Sequence, residues 1–275
     1  MTNYTPTLAD HDEKKMYNRK MKSTKLLNAK MKFKLFLYRI KFLITNPLNS
    51  FKFLVSRGKD YSKIELTEIK SIVGNLNIII EAGASDGVDT QKFIDLFPAV
   101  SIYAFEPVEE QYKYLINKFS GSRDIKIYNA ALSDISGTQK INVGKSSGYL
   151  GGMGSSSLLT PKLHNAWFPQ VKFNEVEIVN TVKLSEFIIE KNISIVDLLW
   201  LDVQGKELDI LLEAEQQIIE KVKSIHLECS RINLYENQSQ FKHIKKFMDK
   251  INFVCKIDRV GAISGNAYYL NQRKF

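Results

Sequence analysis

Apolar positions along the chain fall into two regimes. From Met31 onward, Phe33, Phe36, Leu37, Ile40, Leu43 and Ile44 recur at three- and four-residue steps, the period of one helix face. Lys32, Lys34, Arg39 and Lys41 fill the rest of that helix, and Asn46-Pro47 ends it. Phe51, Phe53, Leu54 and Val55 follow beside Lys52 and Arg57. Residues 31–57 thus form a basic amphipathic segment. It suits either peripheral contact with an anionic membrane surface, or packing on the main body or a second subunit with its lysine stems laid over apolar surface.

Beyond a short helical stretch (Ile64, Ile69, Ile72, Val73), β-branched apolar runs alternate with helix-period segments. Strands are expected at residues 76–82, 100–105, 125–130, 195–203, 222–229, 252–257 and 267–270. Inserted strands are expected at 138–143 and 176–182. Helices are expected at 91–96, 108–119, 185–190, 206–213 and 241–250. Such alternation predicts an α/β fold, a mostly parallel sheet covered by helices on both faces. The Gly- and Ser-rich stretch 144–157 reads as a mobile loop or lid.

The chain of 275 residues carries a net charge of +9, and the location of that charge matters more than its size. Residues 1–60 hold 14 Lys/Arg against 4 Asp/Glu, whereas the remainder holds 25 against 26. A basic N-terminal extension (1–60) therefore precedes a nearly neutral domain (61–275), and the overall basicity does not mark that domain as a nucleic-acid binder. No apolar run reaches the length of a membrane span. Cys229 and Cys255 are too few for a disulfide scaffold and lack ligand spacing, so a reducing, cytoplasmic setting is expected, with membrane association through the arm as an option.

In an open parallel sheet, ligands bind beyond the carboxyl ends of the strands. The first strand ends in Glu81, Ala82, Gly83, Ala84, Ser85, Asp86 and Gly87, a tight turn with a carboxylate placed to hold an amine. The glycine fingerprint of dinucleotide binding and the phosphate-cradling P-loop are both missing. The second strand ends in Glu106-Pro107, a carboxylate placed to accept from ribose hydroxyls. The third strand runs into Asn129, Ala130, Ala131, Leu132, Ser133 and Asp134, a turn whose small residues leave room for a flat base and whose Asn129 can hydrogen-bond. The fourth ends in Asp202, where an unpartnered carboxylate would be costly, followed by Gly205 and by Glu207 at a helix start. The fifth carries His226 and Glu228 on one face, either able to accept a proton or bind a hydroxyl. Asp202, Glu207, His226 and Glu228 are also oxygen-rich enough for a divalent cation, but their spacing follows no ligand pattern and no metal ligand is assigned.

Glu-Ala-Gly-Ala-Ser-Asp-Gly, Phe-Glu-Pro, Asn-Ala-Ala-Leu-Ser-Asp and Leu-Trp-Leu-Asp-Val-Gln-Gly-Lys-Glu-Leu together resemble, in order and spacing, the FkbM-type S-adenosylmethionine-dependent methyltransferases. The resemblance covers about residues 76–270. It implies a Rossmann-like methyltransferase fold with a mostly parallel seven-stranded sheet and an antiparallel last strand, and S-adenosyl-L-methionine as cofactor. Residues Glu81, Gly83, Ala84, Ser85, Asp86 and Gly87 match the methionine-side loop, and Glu106 the ribose-binding acid. Asn129 and Ala130 match the adenine side. Asp202 matches the acid beside the methionine amine or the reacting centre, and Gly152–Leu158 the loop near the acceptor. Glu81, Trp200 and Gln204 stand where the family usually has Asp, Lys and often Glu.

The expected activity is O-methylation of a sugar, glycan or other small hydroxylated acceptor. Asp202, Glu228 or His226 would take the hydroxyl proton and Glu207 would hold the acceptor. A ribose 2′-O-methyltransferase acting on RNA and a non-catalytic assembly module are the alternatives. Nucleic acid is the less expected partner because the base-methylating signatures are missing.

Overall fold

In this computed structural model the described residues are Leu37, 62–146 and 154–273. The basic extension, including the amphipathic segment 31–57, lies outside them apart from Leu37. Among the described residues no helix is long and apolar enough to cross a membrane.

The chain opens with α1 (Leu66–Val73), β1 (Ile78–Ala82), α2 (Val88–Leu96), β2 (Ser101–Phe105), α3 (Glu109–Lys118) and β3 (Ile125–Tyr128). A small insert follows: β4 (Ala131–Ser133), β5 (Gly137–Ser146), the short α4 (His164–Trp167) and β6 (Val171–Lys183). Then come α5 (Leu184–Glu190), β7 (Val196–Leu201), α6 (Glu207–Glu213), α7 (Glu215–Lys221) and β8 (Val222–Ser230). The last elements are α8 (Phe241–Lys250), β9 (Phe253–Asp258) and β10 (Ser264–Asn271).

Seven strands form one sheet in the order β3-β2-β1-β7-β8-β10-β9. Pairing is parallel from β3 to β8, and β10 inserts antiparallel between β8 and β9. This is the Rossmann-like methyltransferase arrangement expected from the sequence. Strand order reverses between β1 and β7, so the crevice beyond their carboxyl ends is the natural ligand site.

Why these runs make central strands is visible in β7, all six of whose residues are buried. Successive side chains on a strand point to opposite faces, so a strand covered on both sides must be apolar throughout. Ile79, Leu198 and Trp200 pack on one face with Phe93 and Leu115, from α2 and α3. Ile80, Leu199 and Leu201 pack on the other with Phe187, Ile210 and Ile244, from α5, α6 and α8. In α8 the apolar Phe241, Ile244, Phe247 and Met248 are buried at helical spacing while its lysines face outward.

Three local features differ from the sequence expectation. Ala131–Ser133, read as part of a turn, is a fully buried strand paired with β6 through Ala131 and Thr181. The helix starting at residue 206 breaks at Ala214 and resumes as α7. The Gly/Ser-rich stretch is partly regular: β5 continues to Ser146 through a register shift, and Asn142 and Ser157 exchange backbone hydrogen bonds of 2.8 and 3.0 Å. Residues 147–153 lie outside the described residues.

The end of β1 is fixed from both sides. The Gly83 and Ala84 N–H groups donate to Phe105 O at 3.0 Å, and Asp202 N donates to Ala82 O at 3.0 Å. Gly83 has φ +89°, and a Cβ there would lie 2.0 Å from the Asp202 carbonyl oxygen. Gly83→Ala therefore forces β1 and β7 apart in addition to straining the backbone. A loss of about 3 kcal/mol in urea unfolding is expected. A variant within a few tenths of wild type would contradict this close approach.

Candidate active site

The loop after β1 turns through Ser85 (φ +50°) and Gly87 (φ +67°). A Cβ on Gly87 would come within 2.7 Å of Leu115 and Phe119. At both glycines, then, what approaches the backbone is the protein's own interior rather than open ligand space. Asp86 accepts from Val88 N at 3.1 Å at the start of α2, while Lys118 donates to the carbonyls of Asp86 and Gly87. These contacts fix the turn's shape.

Glu106 is 3% exposed at the end of β2. One of its oxygens accepts from Ser85 N at 2.8 Å and the other from Val108 N at 2.9 Å. An ionised carboxylate has about four acceptor sites, so two stay available for hydroxyl donors. Burial pushes the carboxyl up to about 7, against the lowering effect of the two N–H groups. Asn129 donates to the carbonyls of Glu106 and Pro107 at 3.3 and 3.2 Å and braces this corner from β3.

Gly83, Ser85 and Glu106 open onto a cleft closed by Asp202, Gln204 and Lys206 and floored by Ala131, Leu132, Ile141 and Leu158. That mixture suits a small molecule with one flat apolar part and a few polar anchors. Lys206, 8% exposed, is held by Asp134 at 2.7 Å and Asp209 at 2.6 Å, so its charge is already balanced.

A second cleft, with a volume of about 200 Å³, meets the first at Gly154, Asp202 and Gln204. Its walls include Glu207, Glu228, Ser230, Tyr235, His164 and Phe168. Where the clefts join, one side-chain amide bridges the Asp202 and Glu228 carboxyls. The Gln204 amide donates to Asp202 at 2.7 Å and to Glu228 at 2.5 Å. Burial raises both acids, and the Asp202 charge raises Glu228 further, well above the carboxylate range. Of the two, Glu228 is pushed up further and so holds a proton more firmly than Asp202. The Tyr235 hydroxyl lies 2.9 Å from both Gln204 Oε1 and Ser155 O, and the Ser157 hydroxyl donates to Gln204 O at 2.7 Å. The bridging amide is thus held at both ends.

Residues 81–255 match the Methyltransferase FkbM domain. The chain belongs to the FkbM methyltransferase family. It is an S-adenosylmethionine-dependent enzyme. It is 26% identical over 183 residues to the 2-O-methyltransferase NoeI of Sinorhizobium fredii (strain NBRC 101917 / NGR234), a match covering 66% of this chain and 75% of that protein. Among solved structures, the METTL16 methyltransferase domain shares 8% identity with a TM-score of 0.42, over 74% of this chain and 65% of that one. Aeropyrum pernix fibrillarin with bound S-adenosyl-L-methionine shares 11% identity with a TM-score of 0.40, over 71% of this chain and 66% of that one. Both matches span just under two thirds of those chains.

Of the residues singled out in this FkbM methyltransferase for the cofactor, Gly83, Ser85, Glu106 and Asp202 line the first cleft. Glu81, Ala84, Asp86, Gly87, Asn129 and Ala130 are not among its lining residues. Glu81 is 1% exposed, accepts from the Thr90 hydroxyl at 2.6 Å, and is pushed up to about 8 by burial. Of the expected catalytic groups, Asp202, Glu207 and Glu228 share the second cleft. Glu207 accepts from Gly205 N at 3.1 Å and Val203 N at 3.2 Å, a loop brace whose carboxyl burial raises to about 7.

His226 does not join them. It is 2% exposed, both ring nitrogens lack a partner, and its ring stacks on Trp200 at 3.4 Å. Burial lowers it to about 3, which leaves it neutral. Among the described residues no three His, Cys, Asp or Glu side chains converge as metal ligands. Sequence reasoning missed Tyr235, His164, Gln111 and Lys206 as cleft residues. Only Lys206 sat inside a motif, and nothing in the local sequence marks the others.

These shifts set the pH dependence of stability. Acids raised in the fold favour the folded state at low pH and lose that contribution between their ordinary values and their folded ones. The buried His164, lowered to about 4, and His226 act oppositely, but only below their ordinary value of 6.5. From pH 6.5 to 8 the acids alone act, through Glu81 at about 8 and Glu106 and Glu207 at about 7. The melting temperature of the ligand-free protein should fall across that interval, and less steeply in Glu81→Gln. A flat or rising profile by circular dichroism would contradict the assignment.

Proposed function

We propose that this chain transfers a methyl group from S-adenosylmethionine to a hydroxyl of a sugar, glycan or other small hydroxylated acceptor. The first cleft takes the cofactor and the second the acceptor. One arrangement carries the reading: the clefts meet at Asp202, the ionised member of a carboxyl pair. The name of the related 2-O-methyltransferase supports transfer of the methyl group to oxygen.

In this reading Glu106 accepts from the ribose hydroxyls with the lone pairs that Ser85 and Val108 leave open. The Ala131–Leu132–Ile141 floor packs on the base, and Ser85 and Asp202 face the methionine end. Bound S-adenosylmethionine would supply an electrophilic methyl and would keep the carbon–sulfur electron pair on sulfur. The protein's part is alignment and proton removal. Asp202 receives the hydroxyl proton, because Glu228 already holds one and Gln204 orients both acids. Glu207 keeps the 203–205 loop in shape around this centre.

Calorimetry with S-adenosylhomocysteine tests the cofactor half of the reading. Glu106→Gln should weaken binding roughly 10- to 100-fold, and wild-type affinity should fall below pH 7 because the carboxyl must ionise to accept both hydroxyls. Label transferred from S-adenosylmethionine should appear on added glycans rather than on RNA. Binding indifferent to both Glu106→Gln and pH would overturn the cofactor assignment, and label confined to RNA would overturn the acceptor class.

A further inference from the structure

The second cleft has a chemical bias that the family assignment does not supply. Asp202, Glu207 and Glu228 all line it, and among the described residues that line it there is no lysine or arginine. The cations nearest in sequence are engaged elsewhere: Lys206 faces the first cleft between Asp134 and Asp209, and Arg231 holds the carbonyls of Val260 and Gly261. An anionic acceptor entering here would meet acceptor oxygens and find no counter-charge.

Two further observations point to a ligand. His164 lines the same cleft at 3% exposure, and its Nδ1 has no hydrogen-bond partner. A buried imidazole nitrogen without a partner is costly, and a donor hydroxyl from a bound molecule would satisfy it. Phe168, half-buried, supplies aromatic surface beside it, its ring centroid 4.9 Å from the His164 ring. Carboxyl and imidazole acceptors for hydroxyls, set against aromatic surface for C–H groups, match the two chemical faces of a sugar ring.

We propose that this cleft selects an uncharged sugar ring, its hydroxyls donating to Glu228 and His164 and its apolar face on Phe168, and that it rejects acceptors bearing phosphate or carboxylate on the reacting ring. The inference rests on the methyl-transfer reading above and narrows its substrate class. Glucuronides, sugar phosphates and the ribose-phosphate chain of RNA are excluded because the Asp202 carboxylate that prepares the hydroxyl for attack repels them, with no counter-charge among the described residues of the cleft. His164 acts as a positioning residue. It is uncharged at neutral pH, because burial holds it down at about 4, and so it can accept a hydrogen bond.

The test uses the full chain with saturating S-adenosylmethionine. Methyl glycosides of glucose, galactose and mannose are each compared with the corresponding uronate and 6-phosphate, reading S-adenosylhomocysteine release. Neutral members should exceed their charged partners by roughly 100-fold or more in kcat/KM, as like charges brought together in a water-poor pocket require. Charged members used equally well would overturn the proposal, as would transfer to none of the neutral sugars. His164→Phe should raise KM for the best neutral sugar about 10-fold with the S-adenosylhomocysteine Kd unchanged, and His164→Asn should restore part of the loss. An unchanged KM in His164→Phe would remove His164 from the argument and contradict the proposal. Failure of wild type to bind S-adenosylhomocysteine would sink the cofactor reading itself, whereas normal binding with a reversed charge preference would sink only this inference.

Discussion

Two carboxyl groups brought together at the end of a parallel sheet govern this molecule. Asp202 and Glu228 leave adjacent strands, β7 and β8, at the point where strand order has just reversed. Neither is free to move away. The Asp202 backbone is hydrogen-bonded to the end of β1, and a glycine at position 83 is needed for that contact. The amide of Gln204, on a residue with φ +53°, closes the pair, and Ser157 and Tyr235 hold Gln204 in turn. Repulsion between two buried charges is relieved when one acid keeps its proton, which leaves its neighbour as an acceptor. The two clefts meet at that acceptor.

The same logic explains a departure from the family pattern. Trp200 stands where a lysine is usual, and in the sheet register it neighbours Glu81 on one side and His226 on the other. An ammonium there would balance the Glu81 carboxylate. The indole offers no charge. Instead it stacks on a neutral His226 and meets Phe93 edge-on at 5.2 Å. Glu81 accordingly stays protonated near neutral pH, bonded to Thr90. A row that could have been ionic is neutral here, which agrees with the apolar packing around it.

The fold was legible because central strands of a doubly covered sheet must be apolar throughout, and 196–201 or 78–82 admit no other reading. The acids at the strand ends were legible for the same reason: Glu106 and Asp202 interrupt runs that have no use for charge. What the sequence hid was depth and facing. His226 and Glu228 share a strand face, but two residues along a strand separate the interior from the rim, so only Glu228 reaches the cleft. Glu81, Asp86 and Asn129 carry polar groups into the right region and spend them on the scaffold. His164 and Tyr235 come from an insert and a loop whose local sequence has no periodic signature, and only tertiary contact brings them to the site. Ala131–Ser133 is too short to announce itself as a strand.

The central claim is that one proton is shared between Asp202 and Glu228 while the pair is bridged by Gln204. Infrared difference spectroscopy of wild type against Glu228→Gln at pH 7, without ligand, reads this directly. The account requires a protonated-carboxyl carbonyl band in wild type that the variant lacks, with Asp202 contributing a carboxylate band in both. If the variant loses only carboxylate absorption, both acids were ionised, and the assignment of Asp202 as proton acceptor fails.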